Sequence, residues 1–133
     1  MKFDLIAIEV GNSRTRLGRF ADDRLEETRT IANDELAAIA EAADGWWSAL
    51  DDRERDRAMV IASVNDPVAD TLSAELATRT GAEIHRVGRD LAVPIGESLD
   101  PETIVGQDRL LAAAAAWDVL KQACIVIDAG TAV

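Results

Sequence analysis

The chain has little cysteine, histidine, proline or positive charge, and no tyrosine at all. The single Cys124 excludes an intramolecular disulfide and fits a reducing compartment, with the cytoplasm as the expected location. It lies in an apolar run and reads as buried packing. No apolar run reaches the roughly 18 residues that a membrane-spanning helix requires, so no membrane association is expected. The N-terminus carries Lys2 and then a strand-like pattern broken by Asp4 and Glu9, which does not read as a secretory leader. With 14 basic against 25 acidic residues the net charge is −11. That sign disfavours sequence-independent nucleic-acid binding, which depends on Lys and Arg neutralising phosphates. It also repels anionic substrates. A nucleotide site in this chain must therefore bring its own positive potential, from backbone amides, arginines or a metal. The only histidine, His85, falls in an edge-like strand and is read as structural.

What is present suffices for one modest core: 133 residues, 48% of them apolar. Phe3–Val10 reads as a buried strand. Arg14–Phe20 alternates like a half-buried antiparallel neighbour, and Arg24–Ile31 follows the Asp22-Asp23 turn as a third strand. Asn33 is placed to cap a helix over Asp34–Ala43, which Gly45 ends or interrupts. Trp46 and Trp47 then pack under a loop, and Asp51–Arg57 reads as a solvated linker. Arg57–Val64 is a fourth strand. Asp66-Pro67, a capping side chain before a proline, starts a helix whose Val68, Leu72 and Leu76 share one face and which Gly81 closes. Glu83–Val87 is a short fifth strand, and 88–104 is loop-like. An alanine-rich helix over Gln107–Lys121 leads to a last strand, Cys124–Ile127. Its Ala112–Ala116 run suggests close helix packing. Three adjacent strands followed by alternating helices and strands argue for a mixed α/β sheet with helices on its faces.

Two segments carry chemistry of one kind. Asp4-Leu-Ile-Ala-Ile-Glu-Val-Gly-Asn-Ser-Arg-Thr15 and Ile125-Val-Ile-Asp-Ala-Gly-Thr-Ala-Val133 are each a short apolar run ending in a carboxylate, then a spacer, a glycine and a small polar residue. Glycine beside a strand end permits a tight turn and lets backbone N–H groups approach an anion. The carboxylate can hold a metal or a water.

With Val105-Gly-Gln-Asp-Arg109 between them, Glu9–Thr15 and Ile127–Ala132 resemble, in order and spacing, three motifs of the type III pantothenate kinases. Those enzymes belong to the superfamily of acetate and sugar kinases, Hsp70 and actin. The Gly-Asn-Ser loop and Asp-x-Gly-Thr are individually weak, while Gly-x-Asp-Arg behind Asp100-Pro101 and before an alanine-rich helix is more particular. The resemblance implies a ribonuclease-H-like mixed sheet, one of two such domains that enclose ATP in a cleft. It divides the chain into a domain over 1–122 and the first strand and phosphate loop of a second over 123–133. A chain holding only the first half is expected to be inactive alone.

The activity implied is ATP-dependent phosphorylation of pantothenate to 4'-phosphopantothenate, the first step of coenzyme A synthesis. Asp108 would be the general base, with Gly106, Gln107, Asp108 and Arg109 contacting pantothenate. Glu9, Val10, Gly11, Asn12, Ser13, Arg14, Thr15 and Arg16 would form the first ATP loop, with Thr131 reaching ATP from the second. Asp128 matches the position of a monovalent cation, K+ or NH4+, and Mg2+ would accompany ATP. The full-length family is homodimeric. This chain departs from the family in Glu9 for Asp, Ser13 for Thr, Gln107 for Ala, and in the lack of a tyrosine that often precedes the substrate motif. Those departures leave two alternatives: a non-catalytic regulatory or interaction protein resembling the Bvg accessory factor, or a superfamily kinase with another hydroxyl substrate.

Overall fold

The computed structural model describes residues 2–50, 55–94 and 105–129. Among them are five strands and three helices: β1 (Phe3–Val10), β2 (Arg14–Ala21), β3 (Arg24–Ala32), α1 (Leu36–Ala49), β4 (Asp56–Ser63), α2 (Asp66–Thr80), β5 (Ile84–Arg86) and α3 (Gln107–Leu120). The strands form one sheet in the order β3-β2-β1-β4-β5. The hairpins β1–β2 and β2–β3 are antiparallel, whereas β4 lies parallel to β1 and β5 parallel to β4. This is the ribonuclease-H-like mixed sheet that the resemblance implies. Among the described residues no helix is long and apolar enough to cross a membrane.

Alternation along β1 decides which face is covered. Ile6, Ile8 and Val10 point to one face and are buried, together with Leu17, Met59 and Ile61 from the neighbouring strands. Helices α1 and α2 close that face with Ile39, Ala43, Trp46, Leu72 and Leu76. Each fully buried aliphatic side chain contributes about 1.5–3 kcal/mol. The opposite face carries Ala7, Glu9, Arg16 and Gly18, whose cross-strand partners share that side. Of the three described helices α3 lies on this face, with Leu111 and Ala112 set against Ala7, Val60 and Phe20 around a groove.

Several elements differ from the expectation, each for a physical reason. Helix α1 begins at Leu36 rather than Asp34, with no side-chain cap bond at its start, because the Asn33 side chain is engaged elsewhere. It runs through Gly45, where an added Cβ would meet nothing within 4 Å, so the glycine costs helix propensity without forcing an end. Trp46 and Trp47 therefore lie inside the helix. Trp46 is buried with the Arg29 guanidinium 5.4 Å from its ring centroid, and Arg57 stacks 4.1 Å over Trp47. Arg57 also donates to the carbonyls of Trp47 and Leu50 at the end of the helix, the former shared with the Leu50 N–H. Of the expected linker 51–57, Arg55 and Arg57 are thus engaged rather than simply solvated; residues 51–54 lie outside the described residues.

The start of α2 is capped by position rather than by Asp66. Asn65 occupies the cap without a side-chain bond, and Asp66 instead accepts from Arg86 at 3.1 Å. Gly81 closes the helix as expected, at φ 67° with its N–H bonded to Ala77 O. The alanine-rich α3 buries none of its residues, and Trp117, Val119 and Leu120 are exposed. Close helix packing at Ala112–Ala116 is therefore absent among the described residues. Cys124–Ile127 is not a strand: residues 123–129 have no regular structure, and Cys124, Ile125 and Ile127 are exposed. A strand is defined by the ladder it shares, and no described residue offers one to this segment.

Two aspartates tie the sheet's periphery. At the β2–β3 turn Asp22 adopts φ 57°, a conformation aspartate tolerates better than most residues. Its carboxylate accepts from Phe3 N and Arg55, and Arg55 also reaches the buried Asp4 at 2.7 Å. The Phe3 N–H, then Arg55, holds Asp22 below the usual carboxylate range. Asp70 is likewise held low, chiefly by its hydrogen bond from Arg86 and also by Arg89. A carboxylate depressed in the folded state stabilises above its unfolded pKa, and that contribution is lost as the pH falls through the folded value. Urea unfolding is accordingly expected to show stability falling below the ordinary Asp value of 3.8. Asp70→Asn should flatten that acid limb; an unchanged limb would show the pairing to be immaterial.

Candidate functional site

The parallel strands β1 and β4 end at one level, Val10 opposite Ser63, and Val64 N extends the ladder by bonding Val10 O at 3.0 Å. The β1–β2 loop and the start of α3 meet at this edge. Between them lies a cleft of about 750 Å³. Glu9, Gly11, Asn12, Ser13, Arg14 and Arg16 line it from the hairpin, Thr30 from β3, and Val64 from beyond β4. Gly106, Asp108 and Arg109 line it from α3, and Asp128 and Ala129 from the segment that follows. Arg14, Arg16 and Arg109 bring positive charge into it, beside the carboxylates of Glu9, Asp108 and Asp128.

The β1–β2 loop is tightly made. Gly11 N donates to Arg14 O at 2.9 Å, and a Cβ on Gly11 would stand 2.9 Å from that same oxygen. Only glycine permits the approach. Asn33 crosses from the end of β3 to bond Gly11 O, Ser13 O and the Thr15 hydroxyl.

The α3 end is equally constrained. Gly106 O accepts Arg109 N and Leu110 N, which starts the helix, and Asp108 Oδ1 accepts Arg109 N at 2.9 Å. A carboxylate in the first turn complements the helix dipole. A Cβ on Gly106 would lie 2.6 Å from Asp108 Oδ1 and 3.3 Å from Val64 Cγ1. Gln107 turns away from the cleft and packs on Gly88, which sits at φ 84° and whose added Cβ would come within 2.7 Å of Gln107 Nε2. Gly88 belongs to a turn anchored by Arg86, whose guanidinium is paired with Asp66 and Asp70 of α2.

The expected residues thus fall into groups. Glu9, Gly11–Arg14, Arg16, Gly106, Asp108, Arg109 and Asp128 share one cleft. Val10 and Thr15 are buried beneath the loop, and Gln107 faces Gly88. Thr131 lies outside the described residues, as do Asp100 and Pro101. Among the described residues no three His, Cys, Asp or Glu side chains gather as a metal cage. Glu9, Asp108 and Asp128 nonetheless offer oxygen donors of the kind a hard cation takes singly, beside water and phosphate oxygens. Thr30 and Val64 also line this site, and Asn33, expected as a helix cap, supports its loop from behind. Thr30 could have been found from its register opposite Arg16; Val64 and Asn33 give no local signal.

The type III pantothenate kinase family model matches residues 5–133. A type III pantothenate kinase of Dehalococcoides mccartyi is 29% identical over 142 residues, covering 99% of this chain and 53% of the relative. One from Anaeromyxobacter sp. is 31% identical over 134 residues, covering 96% and 52%. The chain therefore spans about half the length of the curated relatives it matches. Among solved structures, the ethanolamine utilization protein EutJ from Carboxydothermus hydrogenoformans is similar at a TM-score of 0.48 and 10% identity, over 66% of this chain and 46% of that one. A PilM-PilN type IV pilus biogenesis complex chain is similar at 0.47 and 10%, over 87% and 43%. Likeness at that level bears on neither function nor site. The match over residues 5–133 decides the matter: the chain belongs to the type III pantothenate kinase family.

Proposed function

We propose that this chain supplies the pantothenate-facing half of an ATP-dependent pantothenate kinase, forming 4'-phosphopantothenate. Residues 1–122 would be the first domain and 123–133 the opening of a second. The observation that carries the reading is the shared cleft, where the glycine loop after β1 faces Gly106, Asp108 and Arg109 at the start of α3. Phosphoryl transfer asks a protein mainly for positioning and charge stabilisation. Arg14 and Arg16 supply positive charge beside the loop, and Arg109 supplies it for the pantothenate carboxylate. Asp108 accepts the proton of the attacking primary hydroxyl. Glu9 would be the loop-side carboxylate to hold magnesium, which with ATP would neutralise phosphate charge, and Asp128 is the proposed monovalent-cation ligand.

Calorimetry on this chain tests the reading. Pantothenate and magnesium-ATP are each expected to bind, and Arg109→Ala is expected to weaken pantothenate by about tenfold or more through loss of a charge-assisted bond. Turnover by the chain alone is expected to be negligible. If neither ligand binds, the non-catalytic interaction role gains and the kinase reading falls.

A further inference from the structure

Asn33 contributes nothing to the helix that follows it. Instead, its side chain and backbone reach the loop between β1 and β2 at three points. Nδ2 donates to Gly11 O at 2.8 Å, Oδ1 accepts from the Thr15 hydroxyl at 2.8 Å, and the backbone N donates to Ser13 O at 2.9 Å. The contacts run from the first residue of the loop to the second residue of β2. Thr15 is fully buried, so its hydroxyl is satisfied inside the protein rather than by solvent or ligand. Asn33 itself does not line the cleft.

We infer that Asn33 is the positioning residue of this loop, holding residues 11–15 in their anion-receiving shape before a nucleotide arrives. The inference rests on the proposed ATP-dependent reaction. Backbone N–H groups recognise phosphate well only when they already converge, because ordering them on binding is subtracted from the affinity. The head group must donate to one carbonyl and accept from one hydroxyl from the same short stem. Asparagine does both. Aspartate keeps the acceptor but sets a carboxylate against Gly11 O and adds negative charge beneath the phosphate site. Glutamine is a methylene too long, and serine too short to span both partners.

Amide hydrogen exchange and magnesium-ATP calorimetry on this chain test the inference together. Asn33→Ala and Asn33→Asp are expected to speed exchange at residues 11–15 by about tenfold or more, with the amides of Ile6 and Ile8 unaffected. ATP affinity should fall by a similar factor, further for Asn33→Asp, while pantothenate affinity stays within about twofold. Thr15→Val should loosen the loop in the same way, and Thr15→Ser should retain wild-type exchange. Should Asn33→Ala unfold the chain, Thr15→Val reads the same clamp with one arm removed. Unchanged loop exchange overturns the clamp. Faster exchange with unaltered ATP affinity reduces Asn33 to a structural tie and overturns its positioning role. A wild-type chain whose loop is protected but which binds no ATP overturns the kinase reading, and the positioning role with it.

Discussion

Asp108→Asn is expected to lower pantothenate phosphorylation by about two to four orders of magnitude, the usual contribution of a positioned general base. The measurement is steady-state turnover in a protein where this chain is followed by the second half that its relatives carry. The substitution is nearly isosteric, and Asp108 is only half-buried. An asparagine oxygen can still accept the Arg109 N–H that Asp108 Oδ1 now takes at 2.9 Å, so the start of α3 should persist. What disappears is the basicity. Michaelis constants for ATP should hardly move, since Asp108 faces the loop across the cleft rather than belonging to it. Turnover within about tenfold of the parent would remove Asp108 from the role of base.

Gly106→Ala is expected to act on the same carboxylate from behind. Gly106 has φ −63° and ψ 144°, a conformation open to any residue, so alanine adds no backbone strain. Its Cβ would nevertheless stand 2.6 Å from Asp108 Oδ1 and 3.3 Å from Val64 Cγ1. The carboxylate is the more mobile of the two and must give way. A displacement near 1 Å at a reacting group can cost about 10²-fold, and a loss of that order in kcat/KM is expected. The urea midpoint should stay nearly constant, because the group that moves lies at the cleft and not in the core. A large stability loss without a kinetic one would show that the glycine serves packing instead.

How much of this was legible in the sequence depends on the range of the forces involved. The bounds of β1 agree with the alternation and polarity of Phe3–Val10, and α2 with the Pro67 and Gly81 signals at its ends. Asn33 departs from the expected cap because a capping signal is local, whereas its partners sit 18 and 22 residues away on the hairpin. Cys124–Ile127 departs from the expected strand because β propensity describes a segment, and a strand requires a neighbour. The site was legible where motifs name residues, at Glu9–Arg16 and Gly106–Arg109. It was legible at Thr30 only through its pairing opposite Arg16, and not at Val64, which reaches the cleft by extending the ladder beyond β4.

The hairpin of β1 and β2 also works as a ruler. Its register pairs Asp4 with Ala21 at one end and Val10 with Thr15 at the other. At about 3.3 Å per residue the two ends stand roughly 20 Å apart. The Asp22-Asp23 turn, held by Arg55, therefore gives a fixed handle remote from the cleft. A fluorophore or surface linker placed at the exposed Asp23 would mark the far end of the hairpin at a known distance from the cleft without touching either proposed ligand.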